Sequence, residues 1–191
     1  MKEAYVYDTT FEKQNFLNEP LPPGEYENCT FRNCYFAQAN LSGIRFIECE
    51  FIGCDLSMAN IRDTALRTVR FRDCKMLGLQ FNACNDFGLS LAFQECILNH
   101  ATFYRKKLPK TLFRKCTLQE ADLTDADLTG ATFDECDLAD AVFDNTTLEK
   151  ADFRSALNYI INPETNRIKK AKFSLNGLPG LLAAHDIQID Y

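Results

Sequence analysis

Residues 121–143, ADLTDADLTGATFDECDLADAVF, repeat every five residues. Ala121-Asp122-Leu123, Ala126-Asp127-Leu128, Ala131-Thr132-Phe133, Cys136-Asp137-Leu138 and Ala141-Val142-Phe143 each read small, polar or small, then large apolar, and two variable residues follow each triplet. A helix asks for a period of about 3.6 and a strand for about 2, so a period of five fits neither and announces a repeat architecture. The large residue, called the centre here, and the small residue two before it must both face inward. Two inward positions in five cannot close a core alone. Four such units form a square coil, and stacked coils bury a continuous column.

Residues 20 apart test this. Phe11, Phe31, Phe51 and Phe71 form one series of centres, continued by Phe93, Phe113, Phe133, Phe153 and Phe173 if two residues are inserted between Phe81 and Phe93. The same insertion aligns a second side (Phe16, Phe36, Leu56, Met76, Leu98, Leu118, Leu138) and a third (Leu21, Leu41, Ile61, Phe81, Phe103, Leu123, Phe143). A fourth carries Tyr26, Phe46 and Leu66, then Leu108, Leu128, Leu148 and Ile168. An amphipathic helix does not yield four apolar ladders from one shift.

This A(D/N)Lxx pattern, running from about Thr9 to Phe173, resembles the pentapeptide-repeat family. The resemblance implies an all-β solenoid, a right-handed quadrilateral β-helix with four five-residue sides per coil. About eight coils at ~4.8 Å give a rod of roughly 38 Å. The expected division is a β-helix over 1–174, with a degenerate N-terminal cap at 1–28 and a register break at 85–92. A C-terminal cap or dimerisation tail follows at 175–191. Pro20, Pro22, Pro23 and Gly24 predict a surface turn within the N-terminal cap.

The chain has 191 residues, 46% hydrophobic and 25% charged, which suits one soluble domain. No apolar run approaches a membrane span, and MKEAYVYDTT lacks the apolar core of a signal peptide, so the expected compartment is the cytoplasm. Nine cysteines raise metal and disulfide readings. All nine, however, fall on the small inward position. Cys34, Cys54, Cys74, Cys96, Cys116 and Cys136 make one ladder on the second side. Parallel stacked side chains are poorly placed for bridging or for convergence on a metal, so these are read as small buried hydrophobes in a reducing compartment.

The segment YRKKLPK at 104–110 puts Lys106 on an inward position, where an unpaired charge is costly. This predicts a side distorted outward. Arg105, Lys106, Lys107, Lys110, Arg114 and Lys115 form a basic patch without interleaved aromatics, read as a protein contact or plain surface rather than a nucleic-acid site. The tail SLNGLPGLLAAHDIQIDY predicts a short helix opened by Pro179 and a strand from the alternation of Ile187, Ile189 and Tyr191. Leu178, Leu181, Leu182, Ile187 and Ile189 are the candidate cap or dimer residues, because an open β-helix end exposes edges and apolar side chains.

Charge is segregated. Residues 120–153 hold eleven acids and one base, net −10, whereas the whole chain is −6. Asp122, Asp127, Asp137 and Asp152 occupy the repeat's Asp/Asn position, where they can bond to corner backbone. The candidate partner-binding residues are Glu120, Asp122, Asp125, Asp127, Asp134, Glu135, Asp137, Asp140 and Asp144. The belt is locally denser in charge than duplex DNA, which carries about one charge per 1.7 Å of axis. Its acids nevertheless spread over all four sides.

No catalytic constellation is legible. His100 and His185 pair with no Ser or Cys in a recognisable pattern, and no Gly-rich phosphate loop is present. The expectation is a non-enzyme without cofactor or metal. The segment CDLSMAN at 54–60, the chain length, the acidic late coils and the NPETN–KKAKF–LPGLL tail resemble the quinolone-resistance (Qnr-type) pentapeptide proteins and their relatives McbG and MfpA. That resemblance implies a homodimer joined through C-terminal ends. It also implies a DNA-mimicking protein that binds DNA gyrase and topoisomerase IV and protects these type II topoisomerases from quinolones or peptide toxins. Neither a membrane nor direct nucleic acid is an expected partner. Long projecting loops of the Qnr pattern are absent, unless 85–92 and the KKLPK side stand in for them. The alternative is a non-catalytic interaction scaffold with another partner, since fold does not imply function.

Overall fold

A computed structural model describes residues 4–185 and 187–188 of the chain. They form a four-sided parallel β-solenoid of about seven turns with a short helix at its C-terminal end. One side is a seven-stranded parallel sheet: β2 (Thr10–Glu12), β4 (Thr30–Arg32), β6 (Glu50–Ile52), β8 (Val69–Arg72), β9 (Leu91–Gln94), β10 (Leu112–Arg114) and β11 (Thr132–Asp134). Isolated bridges continue this ladder to Asp152 and Lys172, and the expected figure of about eight coils includes these last rungs. The fourth side opens with β1 (Ala4–Tyr7), β3 (Gly24–Glu27), β5 (Arg45–Ile47) and β7 (Ala65–Arg67). Sides 2 and 3 are held by single bridges such as Asp55↔Lys75 and Asp122↔Val142.

Each pentad is three residues of extended chain and a corner. At most corners the residue two after the centre takes a left-handed conformation, with φ between 50° and 62° at the non-glycine examples. That conformation costs an L-residue about 1–2 kcal/mol. It persists because the corner N–H is aimed at the next coil: Lys110 N donates to Thr129 O at 2.9 Å, and Glu120 N to Ala139 O at 2.9 Å.

The centres fill the interior as stacks. Phe31 lies 4.8 Å from Phe51 with planes 14° apart, and Phe113 lies 4.9 Å from Phe133 at 2°. Neighbouring sides meet edge-on, as at Phe81–Phe93 (5.6 Å, 85°). The small inward position has a second task. Its donor satisfies a carbonyl of the coil beneath: Cys54 Sγ to Phe31 O at 3.3 Å, Cys136 Sγ to Phe113 O at 3.4 Å, Thr64 Oγ1 to Leu41 O at 2.8 Å and Thr146 Oγ1 to Leu123 O at 2.9 Å. Cys, Thr and Ala alternate here because all are small, and the first two also donate. All nine cysteines are free and buried. Burial pushes the Cys49 thiol up to about 12 and that of Cys84 to about 11, so both are protonated and inert.

The N-terminal segment contributes a rung of its own, since β1 pairs in register with β3 (Ala4↔Gly24 to Tyr7↔Glu27). Gly24 is needed there, because a Cβ would collide with the carbonyl oxygen of Ala4. Partner spacing is 20 at Ala65↔Asn85 and 22 at Phe71↔Phe93, so the two additional residues lie between Asn85 and Leu91.

One expectation for the basic pentad fails. Lys106 is not turned outward. It is buried (4% exposed) on the inward position above Cys84, and Nζ donates to Cys84 O at 2.7 Å and to Asp86 Oδ1 at 2.5 Å. The long stem fills the column, and the charge reaches the gap that the register break opens, so a partner cancels the cost that argued for distortion.

At the C-terminal end, single turns at Leu175–Gly177 and Ala183–His185 flank α1 (Pro179–Leu182). The helix lies over Tyr159, with the backbone in close approach. A Cβ on Gly180 would collide with Tyr159 O, and Ile161 N donates to Gly180 O at 3.0 Å.

Candidate functional site

The acidic residues read from the sequence fall into three structural groups. Asp122, Asp127 and Asp137 stand on the bridge rungs, half-buried, and close turns with their own chain. Asp122 Oδ1 accepts from Thr124 N at 3.0 Å. Asp127 Oδ1 accepts from Thr129 N at 3.0 Å and from its Oγ1 at 2.6 Å. Asp137 Oδ1 accepts from Ala139 N at 3.2 Å. Asp137 also accepts from Asn158 Nδ2 at 2.8 Å and Gln119 Nε2 at 2.7 Å. Burial raises its pKa, but these three donors outweigh burial and hold the carboxyl below its ordinary value.

Asp125 and Asp134 belong to a second group. Each pairs with a cation 20 residues earlier, directly beneath it: Asp125 Oδ2 with Arg105 Nε at 3.2 Å, and Asp134 Oδ2 with Arg114 Nε at 3.5 Å. Part of the belt's charge is therefore neutralised by the basic patch that precedes it.

Glu120, Glu135, Asp140 and Asp144 form the third group, exposed at or beside corners. Glu120 Oε2 lies 3.3 Å from His100 Nδ1, on the rung below. Glu120 and Asp140 occupy successive rungs of one corner, so two carboxylates stack there with no lysine or arginine on that side of residues 96–100, 116–120 and 136–140.

The register thus sorts a belt that looks four-sided in sequence. Over residues 96–105, 116–125 and 136–145, sides 2 and 3 together carry six acids, Glu120, Asp122, Asp125, Asp137, Asp140 and Asp144, against one base, Arg105. Asp127 lies on side 4. Asp134 and Glu135 lie on side 1, among Arg114, Lys115 and Arg154.

Of the tail residues, Leu178, Leu182 and Ile187 are exposed, whereas Leu181 packs partly against the core. Ile187 is not in a strand, and Ile189 lies outside the described residues, as does Tyr191. The apolar end is wider than the tail: Leu157, Ile160 and Leu175 (81%) are also exposed. A cavity of 420 Å³ opens here, lined in part by Arg154, Asn158, Tyr159, Asn176, Pro179 and Gly180. Among the described residues the buried Tyr159 hydroxyl has no hydrogen-bond partner, and burial raises its pKa.

Sequence reasoning missed Phe87. The register break presents it 73% exposed, with the Arg67 guanidinium 4.8 Å over its ring and Asn85 Oδ1 accepting its N–H at 2.8 Å. Its only signal was an aromatic inside a segment that had to loop out. Among the described residues, no group of three His, Cys, Asp or Glu side chains is placed to hold a metal, and no helix is long and apolar enough to cross a membrane.

A quinolone resistance pentapeptide repeat protein, QnrB96 of Scandinavium goeteborgense, is 26% identical over 118 residues, 49% of this chain and 55% of the relative. The match therefore spans about half of that relative's length. Full-length QnrB1, described as a plasmid-mediated fluoroquinolone resistance protein, superposes with a TM-score of 0.62 at 18% identity over 95% of this chain and 99% of its own. A trypsin-treated form gives 0.62 at 20% identity over 97% of both. At these identities the structural likeness speaks to the fold. The family model described as a pentapeptide repeat region matches residues 25–103 and 87–153, well over half of the chain. On that match and on the five-residue register of its coils, this chain belongs to the pentapeptide-repeat family.

Proposed function

We propose that this protein binds a type II topoisomerase, DNA gyrase or topoisomerase IV, and protects it from quinolones or peptide toxins without catalysing a reaction. The observation that carries this reading is the acidic track on sides 2 and 3. Its two coils occupy about 10 Å of rod. Duplex DNA carries roughly six phosphates over the same length, and the track holds six carboxylates, five of them without a lysine or arginine partner among the described residues once Arg105 pairs with Asp125. A surface built to grip DNA meets a similar charge density there. The partial likeness to QnrB96 and the resemblance carried by the CDLSMAN and LPGLL segments support the same partner. The site of action is the cytoplasm, where nine free buried thiols stay reduced.

The apolar end is the proposed contact between two copies. Leu157, Ile160, Leu175, Leu178 and Leu182 leave it uncovered in one chain. Light scattering should return a dimer for the parent and a smaller species for Leu175→Glu/Leu178→Glu; a variant dimer of unchanged size places the interface elsewhere.

Binding of gyrase to the immobilised protein tests the partner. Glu120→Gln/Asp140→Asn/Asp144→Asn should weaken binding at least about tenfold at low salt, and the parent's binding should itself fall as salt rises. Arg62→Gln/Arg70→Gln should change it less. An acidic-side variant that binds like the parent overturns the track. If no form binds, the scaffold reading takes its place.

A further inference from the structure

We propose that side 4 of the late coils is a binding face for the phosphate backbone of nucleic acid, independent of base sequence. In sequence the basic residues form two unrelated groups, at 104–115 and 167–172, with Lys150 apart from both. The coil brings them together. Bridges run Lys107↔Asp127, Asp127↔Thr147 and Thr147↔Arg167 up one side. The corner beside them stacks Lys110, Gly130, Lys150 and Lys170, as the bonds Lys110 N to Thr129 O, Gly130 N to Glu149 O and Lys150 N to Lys169 O require. Lys107, Lys110, Lys150, Arg167, Lys169 and Lys170 are all exposed on this side, against two acids, Asp127 and Glu149.

Most cations of the neighbouring sides in the late coils are paired, Lys115 on side 1 being the exception among the described residues. Arg105, Arg114, Arg154 and Lys172 on sides 1 and 3 each have a carboxylate partner. Among the described residues, none of the six side-4 cations lies within ion-pair distance of a carboxylate. The Lys110 stem lies beside the Gly130 corner, with its Cγ 3.6 Å from where a Cβ would stand. The late coils are therefore polarised, acidic on sides 2 and 3 and basic on side 4. Side 4 lies across the rod from side 2 and adjoins side 3, where the corner carboxylate of Asp125 is already paired with Arg105; carboxylates farther off than the ~8 Å screening length at physiological salt do not cancel the basic face locally.

A flat row of unpaired cations without interleaved aromatics fits phosphates rather than bases. This departs from the expectation of no direct nucleic-acid contact, which considered the 104–115 patch alone. Neutralising about four phosphates should give a slope of log affinity on log salt near −3.6.

The test is fluorescence anisotropy of a labelled duplex of about 20 base pairs between about 25 and 200 mM salt, with no topoisomerase present, so its outcome is independent of the function proposed above. The parent should bind at low salt with that slope. Lys150→Gln/Arg167→Gln/Lys169→Gln/Lys170→Gln should weaken binding at least about tenfold and remove most of that slope, about 0.9 for each phosphate left without its cation. Arg70→Gln/Arg72→Gln, on the early coils, should bind as the parent does. Circular dichroism and melting of each variant show that the coil is intact; should the fourfold variant not fold, the charge-keeping set Lys150→Arg/Lys169→Arg/Lys170→Arg must retain binding and Lys150→Gln alone must weaken it. No binding of the parent at the lowest salt overturns the proposal, as does an unchanged affinity of the folded side-4 variant. Equal, side-4-dependent binding of a polyglutamate peptide also overturns it and assigns the face to an acidic protein.

Discussion

At the scale of single residues, the pentad gives an aspartate two different fates. On the bridge rung its carboxylate is tied to backbone two residues on; at or beside the corner it either meets a cation of the coil beneath, as Asp125 and Asp134 do, or stands exposed, as Asp140 and Asp144 do. Asp137 is the most constrained, with Ala139 N, Asn158 and Gln119 all donating to it. Its folded pKa is depressed, so the linked stability is present above the unfolded value of about 3.9 and is lost as pH falls through the folded value. Asp137→Asn keeps the turn geometry and removes the titration. Thermal melts should therefore show a parent–variant difference that is constant from pH 7 to about pH 5 and shrinks below about pH 4. A difference that stays constant down to about pH 3 rejects the linkage. The sequence marks Asp137 as a repeat position, but not its extra partners, because Gln119 and Asn158 reach it only through stacking.

At the scale of one side of the coil, the register break at 85–90 and the buried Lys106 are one device. Lys106 spans the widened gap and fixes Asp86, while Arg67 covers Phe87. Asp86 is largely exposed and Lys106 is not, which makes the pair asymmetric. Removing the carboxylate leaves a buried ammonium with one carbonyl. Replacing the lysine by an apolar chain of similar length removes the charge from the interior altogether. Asp86→Ala should cost about 1–3 kcal/mol, below the 3–5 typical of breaking fully buried pairs, whereas Lys106→Met should be close to neutral. Urea unfolding would measure both, and a larger loss for Lys106→Met contradicts the account. The ladders of Phe and Leu were legible because an inward centre tolerates few residue types. Lys106 was misread for the same reason: a charge on an inward position argues for distortion until its partner, 20 residues away across a break, is placed.

For the whole molecule, periodicity revealed the architecture far better than the site. Apolar ladders repeat, so one shift aligns them; surface charge does not repeat, and its meaning depends on which column each residue joins. The acids at 120–153 look like a belt in sequence. Stacking turns them into a track on sides 2 and 3, neutralises Asp125 and Asp134, and sets a basic side against it. The exposed Leu157, Ile160 and Leu175 were likewise invisible as an end, because only the last coil leaves them uncovered. The central claim is that this track stands in for DNA on a topoisomerase. DNA gyrase supercoiling in the presence of an inhibitory fluoroquinolone measures it most directly. The parent protein should restore supercoiling, and folded Glu120→Gln/Asp140→Asn/Asp144→Asn should not. Failure of the parent to restore activity, or equal restoration by the variant, would contradict the claim.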